Sequence, residues 1–372
     1  MKVPYNYLPM QFADTEEIFS EWKQLINSTE FTLGPYVEKF ENEFSEFIGS
    51  KYVISTNNGT DALILSLKAC GIRPGDEVIS VSTTFYASIG AIVAVGAKPV
   101  FVDIDERYQM NPNLIEAAIT SNTKAILPVH WGGASPDMQA IIFLAKKFNL
   151  KVIEDACMAP GGKINGINSG TFGDANAWSM HPLKPLNVMG DGGMVTTDND
   201  DLAKWMRMYR NHGMVDRDHN PIWGVNMRLQ PLQAIVASHV LKTVEETVRI
   251  RNINASILDS ELKDIPDFVV LPPRLQGYQE TFSLYMAKFK KRDELLAFLN
   301  SHEIDAKIHY GTPLHLQEAS KSFGYSEGSL PMSENYSRKI MTLPVHQYLT
   351  EIQLEYMIGK IKEFYTLNNN WQ

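Results

Sequence analysis

From residue 52 to residue 154 the sequence alternates short apolar runs with longer stretches of helical periodicity. The runs at 52–55, 77–81, 99–102, 124–129 and 151–154 read as strands. The stretches ending near Cys70 and covering 87–95, 114–119 and 137–148 read as helices. Parallel strands need a crossover of a dozen or more residues, which such helices supply. The fold class is therefore α/β, with a mostly parallel sheet flanked by helices on both faces. Ligands in such sheets gather at the carboxyl ends of the strands, so the residues that end each run matter most.

The flanks differ from this centre. Asp14 can cap a helix carrying Ile18, Trp22, Leu25 and Ile26, and Pro35 opens a second with Phe40, Phe44, Phe47 and Ile48 on one face. After Gly162, strands at 175–179 and 194–197 are joined by a loop holding His181-Pro182-Leu183-Lys184 and Gly190-Asp191-Gly192-Gly193. A helix to about residue 210, a polar loop over 211–228 and a long helix from Pro231 to about Leu258 follow. The tail mixes strands at 282–289 and 306–309 with helices at 293–299 and 352–364. The expected organisation is a large domain over 1–240, N-terminal helices included. Residues 241–372 then hold the bridging helix and a small C-terminal α/β domain.

Composition excludes several classes. With 34 Lys and Arg against 43 Asp and Glu, the net charge of −9 gives no general field toward nucleic acid or an anionic membrane. The two cysteines, Cys70 and Cys157, make neither a disulfide framework nor a zinc spacing, and a reducing, cytoplasmic setting and no metal are expected. The N-terminus has no signal-peptide run. The most apolar stretch, 87–97, is interrupted by Gly90 and Gly96 and is too short to span a bilayer.

Four features carry chemistry. Asp155 ends the apolar strand at 151–154, where a carboxylate meets a cationic ring nitrogen or a metal, or simply caps a turn. Lys184 sits in a turn between two strands, where an amine can be tuned to form a Schiff base; an ordinary surface lysine is the plainer reading. Asn57-Asn58-Gly59-Thr60-Asp61 leaves a strand and opens a helix. Its amides and the Thr60 hydroxyl can cradle a phosphate, or serve as cap and turn. Ser179, at a strand end, can add a phosphate hydrogen bond or be a plain buried serine. Together, a phosphate cradle, a ring-facing Asp and a Schiff-base lysine are the parts that pyridoxal 5'-phosphate requires.

At this point the sequence resembles the DegT/StrS sugar aminotransferases, within the fold type I (aspartate aminotransferase) group. The resemblance runs through 34–47 (GPYVEKFENEFSEF), 58–63 (NGTDAL), 75–79 (GDEVI), 84–88 (TFYAS), 128–130 (PVH), 153–157 (IEDAC) and 179–184. It continues with 190–193 (GDGG), 224–228 (GVNMR), 309–317 (HYGTPLHLQ) and Leu343-Pro344. It implies that Lys184 carries the cofactor and shuttles the proton, and that Asp155 pairs with the pyridine nitrogen. Gly59, Thr60 and Ser179 would hold the phosphate, and Phe85, or Tyr86 in its place, would stack on the ring. Asn226 would reach the phosphate of a neighbouring subunit, which implies a homodimer with shared active sites. Arg228, Tyr310 and His315 would line the substrate side, and His130 is either a family site residue or a buried structural histidine. The implied reaction moves an amino group from L-glutamate to a keto-sugar, a nucleotide-linked 3- or 4-keto-6-deoxyhexose, in amino-sugar and polysaccharide biosynthesis, with the pyridoxamine form (PMP) arising during turnover.

Two departures stand out. Met158 occupies the place of a family Gln that donates to the cofactor's ring oxygen, and a thioether cannot donate. Pro185 follows the lysine where Asn is common. The alternatives are a PMP-dependent sugar dehydratase, a transaminase of a small phosphorylated ketone or free keto-sugar, and a non-catalytic regulatory protein that binds the cofactor. In the dehydratase relatives histidine replaces the lysine, whereas Lys184 is retained here.

Overall fold

The computed structural model describes residues 1–367. Its main sheet has seven strands, in the order Tyr52–Thr56, Gly193–Thr197, Ala175–Ser179, Lys151–Asp155, Thr123–Ile126, Glu77–Val81 and Lys98–Val102. Gly193–Thr197 runs antiparallel to both its neighbours, and the other adjacent pairs are parallel. The strands Glu77–Val81, Ala175–Ser179 and Gly193–Thr197 are buried at every position, and their few polar side chains, such as Asn176 and Thr196, are buried with them. The shared direction of the other six strands brings Thr56, Val81, Asp155 and Ser179 to one edge of the sheet. The loops that leave that edge carry Gly59, Thr84 and the turn toward Lys184.

A second sheet is antiparallel throughout, in the order Val269–Val270, Tyr285–Phe289, Ile340–Leu343. It shares an apolar core with the helices Val244–Leu262, Arg292–Ser301 and Glu351–Leu367, built on Leu258, Phe289, Leu299, Met357 and Ile361. Val3 is buried in this same core, so the first residues of the chain pack with the last hundred. Tyr278–Gln279, Lys163–Ile164 and Ile167–Asn168 form a third, small antiparallel ribbon.

The long helix expected over 231–258 is two helices, Pro231–Leu241 and Val244–Leu262. At the break, the Thr243 amide and hydroxyl both donate to the Val240 carbonyl, at 3.0 and 2.9 Å. This local bonding competes with the helical ladder. The strand expected at 306–309 is reduced to a bridge between Lys307 and Thr342. Among the described residues no helix is long and apolar enough to cross a membrane.

Candidate active site

Asp155 closes its strand with its backbone fixed on both sides. Its amide donates to the Pro128 carbonyl at 2.9 Å, and its carbonyl accepts from the His130 amide at 3.0 Å. Its side chain is buried and held by two donors. Ser88 Oγ donates to Oδ2 at 2.6 Å, and the Cys157 amide donates to Oδ1 at 3.2 Å. Ser88 is itself 2.7 Å from Thr84 Oγ1. The carboxylate is thereby oriented before any ligand arrives, and each oxygen keeps a lone pair for one.

Behind it, Glu154 and His130 are fully buried. Glu154 is 2.8 Å from His130 Nε2 and accepts from the amides of Gly170, Phe172 and Gly173. His130 is thus a structural residue that braces the strand end, with its other ring nitrogen on Ser135 at 3.0 Å.

The helix Gly59–Ala69 begins next to the ends of the strands at 175–179 and 151–155. Asn58 caps it, its side chain accepting from the Asp61 amide at 2.8 Å, and the Ala62 amide returns to the Asn58 carbonyl. Among the described residues, the amides of Gly59 and Thr60 have no acceptor, as the first turn of a helix leaves them. A Cβ on Gly59 would fall 2.7 Å from Ser179 Cβ, 3.1 Å from Ser179 Oγ and 3.2 Å from Cys157 Sγ. Only glycine lets the helix start come this close to Ser179. The two unpaired amides, with Ser179 close by, make this helix start a candidate anion cradle, and Thr60 adds a hydroxyl to the same turn.

Lys184 lies in the loop after Ser179, preceded by Leu183 in the left-handed region at φ 73°. No hydrogen bond or ion pair to its Nζ is found among the described residues. Burial lowers its pKa from the usual lysine value, while Asp155 and Cys157 lie near enough to oppose that shift. Burial also pushes the Cys157 thiol well up, which makes it a poor nucleophile at neutral pH.

An aromatic wall stands over this edge. The Phe85 and Tyr86 rings lie 5.7 and 5.6 Å from Tyr310, and Trp131 lies 5.5 Å from it. Phe85 is 47% exposed, so its ring remains available to stack. Burial raises the Tyr310 phenol to about 12. His309, next to it, is lowered to about 4 by burial, with Lys184 and Lys307 adding to that shift.

The structure does not bring every nominated residue to this place. His315 is 1% exposed, with Nδ1 2.9 Å from Ser82 Oγ and Nε2 3.1 Å from Glu334. Both ring nitrogens are occupied, and no face is open to a substrate. Asn226 is exposed and accepts from the Arg228 amide at 3.3 Å, while Arg228 Nη1 donates to Asn211 at 2.8 Å. Among the described residues, neither side chain is hydrogen-bonded to any nominated residue outside this pair. The Met158 carbonyl accepts from Thr281 and Ser283 at 2.6 and 2.8 Å, and among the described residues its thioether has no hydrogen bond.

Sequence reasoning passed over Ser88. It lies in the first turn of the helix Tyr86–Ala94, and Thr84, just before the N-cap Phe85, folds back onto its hydroxyl.

An anion cradle, a carboxylate with free lone pairs and an unpartnered amine fit the phosphate, ring nitrogen and aldehyde of pyridoxal phosphate. Comparison with known proteins agrees. The chain is 40% identical over 368 residues to the pleiotropic regulatory protein of Geobacillus stearothermophilus, covering 98% of this chain and 99% of that one. It is 36% identical to the dTDP-3-amino-3,4,6-trideoxy-alpha-D-glucose transaminase of Streptomyces venezuelae, covering 98% and 96%. The crystal structure of S. venezuelae DesV in complex with a ketimine intermediate superposes with a TM-score of 0.94 at 35% identity, covering 98% of each chain. The pattern of one family spans residues 13–362, and the chain belongs to that family, the DegT/DnrJ/EryC1/StrS aminotransferases, which work with pyridoxal phosphate.

Proposed function

We propose that this aminotransferase takes nitrogen from L-glutamate and delivers it to a nucleotide-linked keto-sugar, as a cytoplasmic homodimer with shared active sites. One observation carries the catalytic part of the reading. Lys184 presents an unpartnered amine, eased toward its neutral form by burial, beside an Asp155 carboxylate already oriented by Ser88 and the Cys157 amide.

Bound pyridoxal phosphate supplies an aldehyde that exchanges amines and a protonated ring that withdraws electrons from the carbon losing a proton. The chain's residues do the rest. The Gly59 and Thr60 amides, with Ser179, bind the phosphate dianion. Asp155 keeps the proton on the ring nitrogen, because a carboxylate beside that atom favours its charged form. Lys184 Nζ is the base that would take the proton from the donor's α-carbon and hand it back on the cofactor's side of the same nitrogen. Phe85 orients the ring by stacking. The wall of Tyr86, Tyr310 and Trp131 excludes water on that side. Asn226 and Arg228, whose side chains are hydrogen-bonded to no other site residue among those described, serve the neighbouring subunit's site.

The sugar assignment rests on relatives such as the S. venezuelae transaminase, whose name specifies a dTDP-linked amino sugar. The regulatory name of the Geobacillus relative does not count against catalysis here. A carboxylate oriented toward the ring nitrogen serves carbanion chemistry, which a chain that only bound the cofactor would not carry out. The test is to incubate the holoenzyme with L-glutamate and a panel of nucleotide-linked 3- and 4-keto-sugars, following 2-oxoglutarate and the sugar products by mass spectrometry. An aminated nucleotide sugar is the expected product. Formation of 2-oxoglutarate only with small phosphorylated ketones moves the reading to that class, and none with any acceptor removes it.

A further inference from the structure

We propose that the first eleven residues belong to the catalytic apparatus, with Tyr7 and Gln11 acting as positioning residues that hold the backbone of Lys184. This rests on the assignment of Lys184 as the cofactor lysine.

The lysine's loop needs holding. Leu183 sits at φ 73°, a conformation that a side chain with a Cβ seldom adopts unless its surroundings impose it. The turn is closed by the Lys184 amide on the His181 carbonyl at 3.2 Å. The Lys184 carbonyl, in turn, accepts from two side chains. Asn187 Nδ2 donates at 2.9 Å, and Tyr7 Oη donates at 3.2 Å from the far end of the sequence. Asn187 does not stand alone. Its amide and that of Gln11 form a reciprocal pair, each donating to the other's oxygen at 3.1 Å. Two residues of the N-terminal segment therefore fix the lysine's peptide, one directly and one through Asn187.

The other end of the segment is anchored elsewhere. Val3 bridges Ile304, its amide donating to the Glu303 carbonyl at 2.9 Å and its carbonyl accepting from the Asp305 amide at 3.0 Å. The Tyr5 amide donates to Asp305 at 3.2 Å, and His346 Nε2 donates to the Pro4 carbonyl at 2.9 Å. Tyr7 is 3% exposed, with its ring 5.3 Å from His346, 6.1 Å from Tyr348 and 5.1 Å from the Arg251 guanidinium. The segment thus runs from the small antiparallel sheet to the lysine. Displacement of the 303–305 strip or the 346–348 turn is passed to the Lys184 backbone through the Tyr7 hydroxyl.

Tyr7→Phe keeps the ring and removes the oxygen, and Gln11→Ala opens the amide clasp. Three readouts apply to each variant. Amide hydrogen exchange of residues 181–188 is measured in the apoprotein, the pH midpoint of the visible absorbance band in the holoenzyme, and kcat against KM for L-glutamate. Both variants are expected to exchange faster over 181–188, to move the spectral midpoint, and to lower kcat about three- to tenfold while KM changes less than about twofold. Exchange and midpoint equal to wild type in both variants overturn the proposal, whatever the melting temperature does. Borohydride reduction and peptide mapping of the wild type separate the two layers of argument. A label on Lys184 with silent variants refutes the strap alone, whereas a label elsewhere refutes the cofactor assignment and the strap with it.

Discussion

Ser88 Oγ donates to Asp155 Oδ2 at 2.6 Å, and this short bond is what aims the carboxylate at the open edge of the sheet. Hydrogen bonds to charged groups are stronger than neutral ones, contributing about 1.5–3 kcal/mol. Ser88→Ala removes that donor and leaves Thr84 without its partner. The variant should fold and bind pyridoxal phosphate, but kcat should fall about tenfold or more as Asp155 loses its fixed orientation. Stopped-flow measurement of the glutamate half-reaction checks this, and an unchanged rate would assign the orientation to the Cys157 amide alone.

At Gly59 the constraint is steric. A methyl group there lies 2.7 Å from Ser179 Cβ, so either the helix start or the strand end has to move. Overpacking of this kind costs about 1–3 kcal/mol. Gly59→Ala should therefore unfold at lower urea and lose cofactor on dialysis faster than wild type. Dialysis against buffer, followed by fluorimetric assay of retained pyridoxal phosphate, reads the second effect directly.

The parts of this site that were legible in the sequence are those fixed by the sheet. Asp155 and Ser179 end strands whose apolar runs are plain, and six strands of one direction must deliver their ends to one edge. Gly59 and Thr60 follow a strand and open a helix, which is again a local pattern. His315 was placed on the substrate side by its motif, but its burial depends on Ser82 and Glu334 arriving from distant segments. The contribution of Tyr7 is of the same kind, since 177 residues separate it from Lys184. The break near Thr243 was hidden because threonine is an ordinary helix residue until its hydroxyl turns back on the chain.

Lys184 should be replaceable without loss of fold. Lys184→Ala keeps the amide cradle and Asp155, so pyridoxal phosphate should still bind, but without a borohydride-fixed label. Turnover should drop at least about a thousandfold, the range expected when a positioned proton-transfer group is removed. In the wild-type apoprotein the pKa of Lys184 is lowered by burial, so its neutral fraction at a given pH exceeds that of a surface lysine. The rate of covalent cofactor capture should accordingly stay high to lower pH than for a model amine.

Sharing of sites between subunits can be tested by mixing Lys184→Ala with Asn226→Ala and reading the gain over the activity of each variant alone. If Asn226 serves the partner, a hybrid of Lys184→Ala and Asn226→Ala protomers has one site with both defects and one with neither. Random reassociation makes half the dimers hybrid, so the mixture should regain about a quarter of wild-type turnover. No recovery after verified subunit exchange would return Asn226 to its own chain's site.

His346 ties the N-terminal segment to acid stability. Its Nε2 donates to the Pro4 carbonyl at 2.9 Å, while its Nδ1 accepts from the Tyr348 amide at 3.3 Å. Only the neutral ring can do both, because a second proton on Nδ1 would face an N–H. Burial lowers its pKa from 6.5 to about 4, with the Pro4 bond opposing and the Arg251 charge, near the Tyr7 ring, reinforcing that shift. The sign follows from proton counting. Between those two values the unfolded chain binds a proton that the folded chain refuses, so unfolding becomes easier as pH falls through the window. The contribution is fully present above pH 6.5 and is lost by about pH 4, amounting to about 3 kcal/mol at most. Urea titrations of the apoprotein across this range should show the decline in wild type and a shallower one in His346→Gln, whose amide can donate to Pro4 without titrating. Equal slopes in the two proteins would show that the acid sensitivity does not arise at His346.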